Sequence, residues 1–520
     1  MAEGQGGRAV KITRRGLILG AALTAASIAG GVNAQLRGYG IPRVGLPNFP
    51  TGDPVSGIGA PWATLLATST LLTVSPEGRI SGGLAMPWGM SKDRDVLELR
   101  IRPDALFADG SRILADDVVA SANLARAIYE GTPEAWRWEH IELVESLPDN
   151  VVRLSLSAPD ASIPALLASH LLPILPTAWV ASGWDREGGP FPPASGCFQL
   201  QSVSNDLLRL TRNNAFFQVG RPRLAGVTCR PPSETMLRTT DLVTSGVDLL
   251  IDAPLLDVPM LREDPGITLV GGPANRLCLL AVNLQGSTMA DVRLRRLVSS
   301  AIDREALVAG ATATEAAPAS VLIPGDHWAG LDYTVETIDA DDVRAELTAL
   351  GKPPGIELRL VASNADASLA NACVLLQEQL AWAGIALSLD LLNEMEMQAE
   401  MNGGRWDMLM RYTDHWRDPH ELVRPLVLSD GTRNAGGYVN SRVDYLAELA
   451  SQASDNAYRA GFYQTIQRIV ASDVPVIPLF FPNYYDAMSS RMENYPFFPP
   501  ISASAMHKAT MTRPDPITVP

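Results

Sequence analysis

Residues 97–129 read LELRIRPDALFADGSRILADDVVASANLARAIY, a run that sets a strand, a tight turn and a helix start in immediate succession. Leu97, Leu99 and Ile101 alternate with Glu98 and Arg100, the two-residue period of a strand with one buried face. Phe107 anchors a turn at Asp109-Gly110, where the aspartate can bond its own nearby backbone and glycine accepts positive φ without a Cβ clash. A helix then starts at Ala115-Asp116-Asp117. Its carboxylates meet the free N–H groups and positive dipole end of the first turn, worth about 0.3–1 kcal/mol each. Val118, Ala122, Ala125 and Tyr129 share one helical face. Asp109, Asp116 and Asp117 could also be read as a metal or acid/base cluster, but each has a local backbone role and the spacing is not that of an EF-hand.

Working outward, the 520 residues exceed what one core usually holds, so more than one domain is expected. The net charge of −15 and pI near 4.9 argue against a nucleic-acid partner and against adhesion to anionic lipid. At the start, Lys11-Ile12-Thr13-Arg14-Arg15-Gly16 leads into an apolar run from Leu17 to Gly31, and Val32-Asn33-Ala34 offers a small-residue cleavage site. Residues 1–34 therefore read as a secretory signal of the twin-arginine kind, with an apolar run short of the ~20 residues that span a bilayer. Periplasmic location is expected. Cys197, Cys229, Cys278 and Cys373 could form one or two disulfides in that oxidising compartment, or remain buried thiols; their spacing is no metal motif.

Further along, Val152, Leu154 and Leu156 alternate with Arg153 and Ser155 and suggest a strand partner for 97–101. Leu249 to Ile251 and Leu279 to Asn283 read as buried strands. Leu294, Leu297, Val298, Ala301 and Ile302 predict one amphipathic helix across 291–304, with Arg293, Arg295 and Arg296 on a solvated face. Residues 356–391 show strand, helix and strand patterns in turn, a βαβ unit that implies a parallel sheet with a right-handed crossover. Trp406 to Arg411 reads as a strand. Phe462, Ile466, Ile469 and Val470 share a helical face ahead of a proline-marked strand at 474–481.

FADGSRILADDVVAS (107–121) resembles the F-x-D-G-x-x-L-T-A-x-D-V-x-x-S signature of the family 5 extracellular solute-binding proteins of ABC importers, and DVRLRRLVSSAIDR (291–304) resembles that family's D-V-R-V-R phrase. Leu84 to Trp88, Ser195-Gly196-Cys197-Phe198, Asn213-Asn214 and Gly246-Val247-Asp248 are similar to shorter family phrases in the same order. Two departures stand out: Cys197 replaces a usual proline, and at 114–115 the hydroxyl N-cap of the helix is missing, a loss of about 0.5–2 kcal/mol. The resemblance implies an α/β, two-lobed periplasmic binding protein-like fold (type II, large form), with a hinge and a ligand cleft between lobes. The divisions expected after the leader are 35–68 and 189–271 as first lobe, 69–188 as an extra subdomain, 272–480 as second lobe and 481–520 as a return to the first.

Such a protein closes on its ligand, so aromatic and polar side chains must gather on loops at the cleft. Residues 406–433, WDMLMRYTDHWRDPHELVRPLVLSDGTR, are the best candidate. Ligand-binding residues are expected at Trp406, Tyr412, Asp414, His415, Trp416 and Asp418, with Asn283 at the end of its strand; tyrosine and tryptophan give rigid apolar surface and an acid can hold an ammonium group. The resemblance puts His415 where peptide-binding members place an acid for the ligand amine, a substitution that weakens the dipeptide assignment. His415 and His420 are not spaced for one helix face, so no metal site is expected, and no catalytic residue or cofactor either: the chain lacks G-x-S-x-G, H-E-x-x-H, a P-loop and G-x-G-x-x-G. The expectation is a monomeric protein that passes a short peptide or similar solute to ABC permease subunits. The alternatives are a nickel chelate, an opine or a sugar on the same fold, and a cofactor enzyme exported by the twin-arginine route.

Overall fold

The computed structural model describes residues 40–47, 61–75, 79–182, 191–204, 207–231, 237–286, 288–352, 355–496 and 506–512; the expected leader lies outside them. The first lobe begins with β1 (Arg43–Gly45) and α1 (Pro61–Ala67). An inserted subdomain follows, with β2 (Ala85–Met90), β3 (Val96–Ile101), α2 (Ala115–Tyr129), β4 (Ile141–Leu147) and β5 (Val151–Leu156). Its antiparallel sheet has the order β2-β3-β5-β4, with Leu97 opposite Leu154 and Leu99 opposite Val152. Leu97, Leu99 and Ile101 are buried beneath α2, about 1.5–3 kcal/mol each.

The missing helix cap is supplied from elsewhere in the chain. The Ala115 N–H donates to the side-chain oxygen of Asn150 at 2.6 Å, and the Leu114 N–H donates to Asp117 at 2.8 Å. The other Asp117 oxygen accepts from the N–H and hydroxyl of Thr177, and Asp109 accepts from the Ser111 N–H. These two acids are thus spent on the turn and the helix start.

The chain returns through β6 (Phe198–Ser204), β7 (Leu207–Arg212), β8 (Gly226–Arg230), β9 (Leu249–Leu250) and β10 (Ile267–Pro273). Glycine is needed at 196, because a Cβ there would come within 2.6 Å of the Ala67 carbonyl carbon.

The second lobe contains β11 (Cys278–Val282), α3 (Val292–Ser300), α4 (Arg304–Thr312), β12 (Ile356–Ser363), α5 (Ala367–Trp382), β13 (Ile385–Leu392), β14 (Met408–Tyr412), α6 (Pro419–Val427), α7 (Asn456–Asp473) and the first part of β15 (Val476–Ser489). The βαβ unit forms as its pattern requires, with β12 and β13 parallel from Ile356 opposite Ile385 to Ser363 opposite Leu392. The helix expected across 291–304 is instead two. The first stops at Ser300, and Asp303 caps the second by accepting from the Ala306 N–H. Nor is Arg295 on a solvated face: it is buried and donates to the carbonyls of Asp473, Met289 and Ala290. A helical period cannot separate a long arginine that reaches solvent from one that folds back onto carbonyls.

The main sheet has the order β13-β12-β14-β11-β15-β9-β1-β8-β7-β6, with β10 also paired to β15. Residues 476–480 of β15 pair with β11 in the second lobe, while residues 483–489 pair with β10 in the first. One strand therefore belongs to both lobes. The chain also crosses between them at residues 274–277, which link β10 to β11. Residues 506–511 pack into the first-lobe core through Met506 and Met511.

All four cysteines are buried and unpaired, so the disulfides held open by their number do not form. Burial pushes the Cys197 and Cys373 thiols up to about 12. A thiol reagent is expected to find no reactive cysteine in the native protein and all four in denaturant, and reductant to leave the melting temperature unchanged. A shift on reduction would disprove free thiols. Replacing Asn150 with Ala should lower the unfolding free energy by about 1 kcal/mol in urea titration, the usual worth of a helix cap.

Candidate functional site

Strand register locates the junction of the lobes. Tyr412 ends β14 opposite Cys278, the first residue of β11, and β12 runs parallel to β14, so its C-terminal loop at residues 364–366 lies at the same edge. In the first lobe β9 runs antiparallel to β15, which brings the loop after it, Ile251 to Ala253, to the residues where β15 crosses between lobes. The junction is therefore walled by Asp252 and Tyr484 on one side, by Tyr412, Asp414, His415 and Asp366 on the other, and by Arg276 in the crossing itself.

Arg276 lies at the centre. Its guanidinium sits 4.1 Å above the Tyr412 ring and 3.6 Å from the Asp252 carboxylate, and 24% of its side-chain surface stays open. Desolvation works to lower its pKa, but Asp252 and then Tyr412, Asp366 and Asp414 outweigh it, and the net shift is upward. Burial raises the Asp252 carboxyl, against the opposing pull of Arg276 and Arg238. Asp252 has φ 52°, the left-handed region an aspartate tolerates better than most residues. Its loop is braced, since Arg238 donates to the Ile251 and Asp252 carbonyls and the Asp252 N–H donates to Asp486.

Tyr412, Asp414 and His415 come together at this junction. Asp414 is exposed and paired with Arg433 at 2.5 Å. The His415 ring meets Tyr484 edge-on at 5.2 Å across the lobes, and its Nδ1 is buried with no partner among the described residues. Desolvation, reinforced by Arg276 and Arg417, holds His415 far below the usual histidine range, so the ring is neutral. Trp416 is turned into the second-lobe core against His327. Its backbone clips the crossing to the loop through two hydrogen bonds with Asn275.

The other expected residues make contacts within the fold. Asp418 caps α6 by accepting from the His420 N–H and forms a buried ion pair with Arg459 at 2.7 Å. Asn283 and Trp406 lie at the opposite end of β11 and β14, a strand length or roughly 13 Å from the junction. There the Asn283 amide donates to the Trp406 carbonyl, and the indole donates to Met401. An asparagine closing a strand and a tryptophan opening one look the same in sequence whichever end faces the cleft. Arg276, Asp252 and Arg433 were not among the expected residues, because isolated charges on loops carry no periodicity.

A second contact joins the inserted subdomain to the second lobe. Arg137 bridges Glu134 and the buried Glu421, Arg433 bridges Glu134 and Asp414, and Arg424 reaches Glu139. Trp136 packs edge-on against His420, and the Thr432 hydroxyl donates to the Pro133 carbonyl. These groups leave a cavity of only about 20 Å³. A separate concavity of about 330 Å³ between the first lobe and the subdomain has its charged groups already engaged, Arg102 with Asp104 and over the Phe217 ring.

Two α/β lobes joined by two chain crossings, with aromatic and charged groups of both meeting at the junction, define a two-lobed solute-binding protein. More closely, the chain belongs to family 5 of the bacterial extracellular solute-binding proteins: residues 79–434 match the family described as "Bacterial extracellular solute-binding proteins, family 5 Middle". It is 23% identical over 440 residues to the glutathione-binding protein GsiB of Escherichia coli (strain K12), a match covering 82% of this chain and 86% of that protein. Among solved structures it resembles the Helicobacter pylori periplasmic binding protein DppA in complex with the peptide STSA, with TM-score 0.79 and 20% identity over 93% of this chain and 100% of that one. The A. tumefaciens binding protein AgaA in complex with agropinic acid also has TM-score 0.79, with 21% identity over 91% of this chain and 99% of that one.

The histidines fix a pH dependence. Desolvation lowers His170 to about 3 and His327 to about 4, and depresses His415 and His420. Unfolded histidines titrate near 6.5, so acid protonates the unfolded chain first. The stability these groups contribute is present above pH ~6.5 and is lost as pH falls toward their folded values, at up to about 1.4 kcal/mol per pH unit for each. Urea midpoints at pH 7.5 and 5.0 should show a marked drop at pH 5.0; equal midpoints would refute neutral buried histidines. Glu134 and Glu421, lowered in the net although desolvation opposes it, add their loss only below pH ~4.5.

Proposed function

We propose that this protein is the periplasmic substrate-binding component of an ABC importer, exported by the twin-arginine leader read at residues 1–34, and that it captures a short peptide or similar small solute by lobe closure and delivers it to the permease subunits. The observation that carries this reading is the junction itself: Arg276, Asp252 and Asp414 offer charges of both signs around the Tyr412 platform. A short peptide brings a carboxylate, an ammonium group and apolar side chains, which need these partners. A relative named for binding glutathione and a structural neighbour solved in complex with the peptide STSA support the class of ligand.

Binding here is reversible, with no bond made or broken. Tyr412, Asp414 and His415 are the ligand residues of this reading. Trp416 holds the loop from behind, while Asp418, Trp406 and Asn283 act on the fold. The neutral His415, in place of the family's acid, favours a second reading in which the solute is an amino-acid conjugate such as an opine rather than a dipeptide. Among the described residues no group of three or more histidine, cysteine or acidic side chains is placed to hold a metal ion.

Thermal-shift measurements with di- and tripeptide libraries test the proposal. Some peptides are expected to raise the melting temperature by several degrees, as ligand linkage requires. If none does, the peptide assignment is wrong. A tightly bound chromophore in the purified protein would overturn the role of simple carrier.

A further inference from the structure

A buried or half-buried arginine normally spends its donors on the protein. Arg304 is buried and donates to the carbonyls of Ala319, Pro478 and Ser299 and to the Ser299 hydroxyl. Arg295 meets three carbonyls. Arg459 donates to Asp418, to the Ala450 carbonyl and to the Tyr463 hydroxyl. Leaving such a group unpaired costs more than its hydrogen bonds gain when made.

Arg276 breaks this pattern. Its guanidinium donates no hydrogen bond to any described residue; its contacts are the Tyr412 ring and the longer ion pair to Asp252. Arg417 also donates no side-chain hydrogen bond to any described residue, but only 8% of its side chain is exposed and it faces the enclosed Glu421. Arg276 instead keeps an open surface at the meeting of the lobes. Its partner is shared, since Asp252 also lies in the field of Arg238, so one acid faces two guanidiniums. The Tyr412 ring lies under the guanidinium, and the fork's free donors suit a planar, two-oxygen acceptor. The neutral His415 ring lies within the electrostatic reach of Arg276, its enclosed Nδ1 without a partner among the described residues.

We infer that Arg276, set over the Tyr412 ring, is the carboxylate receptor of the cleft, and that the captured solute carries a carboxylate at the end nearest the crossing. The inference rests on the junction being the ligand site and deepens that reading by naming the ligand's chemistry, whether peptide or other amino-acid conjugate. Because Arg276 is part of the crossing between β10 and β11, the anion it binds also restrains one of the two chain crossings. Ligand capture and lobe closure meet at one residue.

The test compares the purified full chain with Arg276→Gln and Arg276→Lys. Native mass spectrometry identifies any solute that co-purifies, and ligand-stripped protein is titrated with a library of free-acid dipeptides and with the same library as C-terminal amides. The wild-type chain should prefer the free acids by about 100-fold. Arg276→Gln should lose that preference, and Arg276→Lys, which keeps the charge without the fork, should fall between. Melting temperatures of the stripped variants should match wild type, separating a ligand role from a structural one. Arg276→Gln that still prefers free acids overturns the inference and leaves the peptide reading intact. A co-purified solute with no carboxylate overturns it too. If instead no peptide binds, but a non-peptide carboxylate co-purifies and is lost from Arg276→Gln, the peptide reading fails and the inference holds.

Discussion

The pairing of one strand with both lobes governs this structure. Residues 476–480 bond to β11, and residues 483–489 bond to β10 and β9, so the ladder of each half is completed by the same strand. Backbone groups cannot be left unpaired in a buried sheet. The register of this strand therefore fixes which loop ends of each lobe face each other. The residues at the junction meet because of that register, although they come from stretches as far apart as Asp252, Asp366 and Tyr412.

Charge at the junction follows from the same placement. The segment from Ala274 to Leu277 must pass between lobes, and an arginine within it lies where both lobes withdraw solvent without closing it off. Arg433 serves two masters, pairing with Glu134 of the inserted subdomain and with Asp414 of the cleft loop. The contact between the subdomain and the second lobe is thus wired to the loop at the junction. Breaking one pair frees a partner of the other, so the subdomain contact and the loop share one electrostatic element.

Much of the fold was legible in the sequence, and the reasons are local. Alternation at 97–101 and 151–156, and the strand, helix and strand of 356–391, reflect periods that burial imposes on any half-covered element. The turn at Asp109-Gly110 and the helix start at Asp116-Asp117 were readable because those residues bond to backbone a few positions away. Legibility ended where a residue acts at a distance. The cap of α2 comes from Asn150, the break between α3 and α4 is made by Asp303, and Arg295 turns inward to carbonyls that include one nearly two hundred positions on.

The candidate site divides in the same way. The aromatic and acidic crowding of residues 412–416 could be picked out without coordinates, since these residues are neighbours in sequence. Sequence could not say that Trp416 faces the core, that Asn283 and Trp406 close the far end of their strands, or that an isolated arginine at 276 stands at the centre. By itself the sequence determined the family and its two α/β lobes, because periodic burial and turn chemistry are written in neighbouring residues. The tertiary structure alone decided which charges face one another across the cleft, because that depends on strand register between segments that share no sequence neighbourhood.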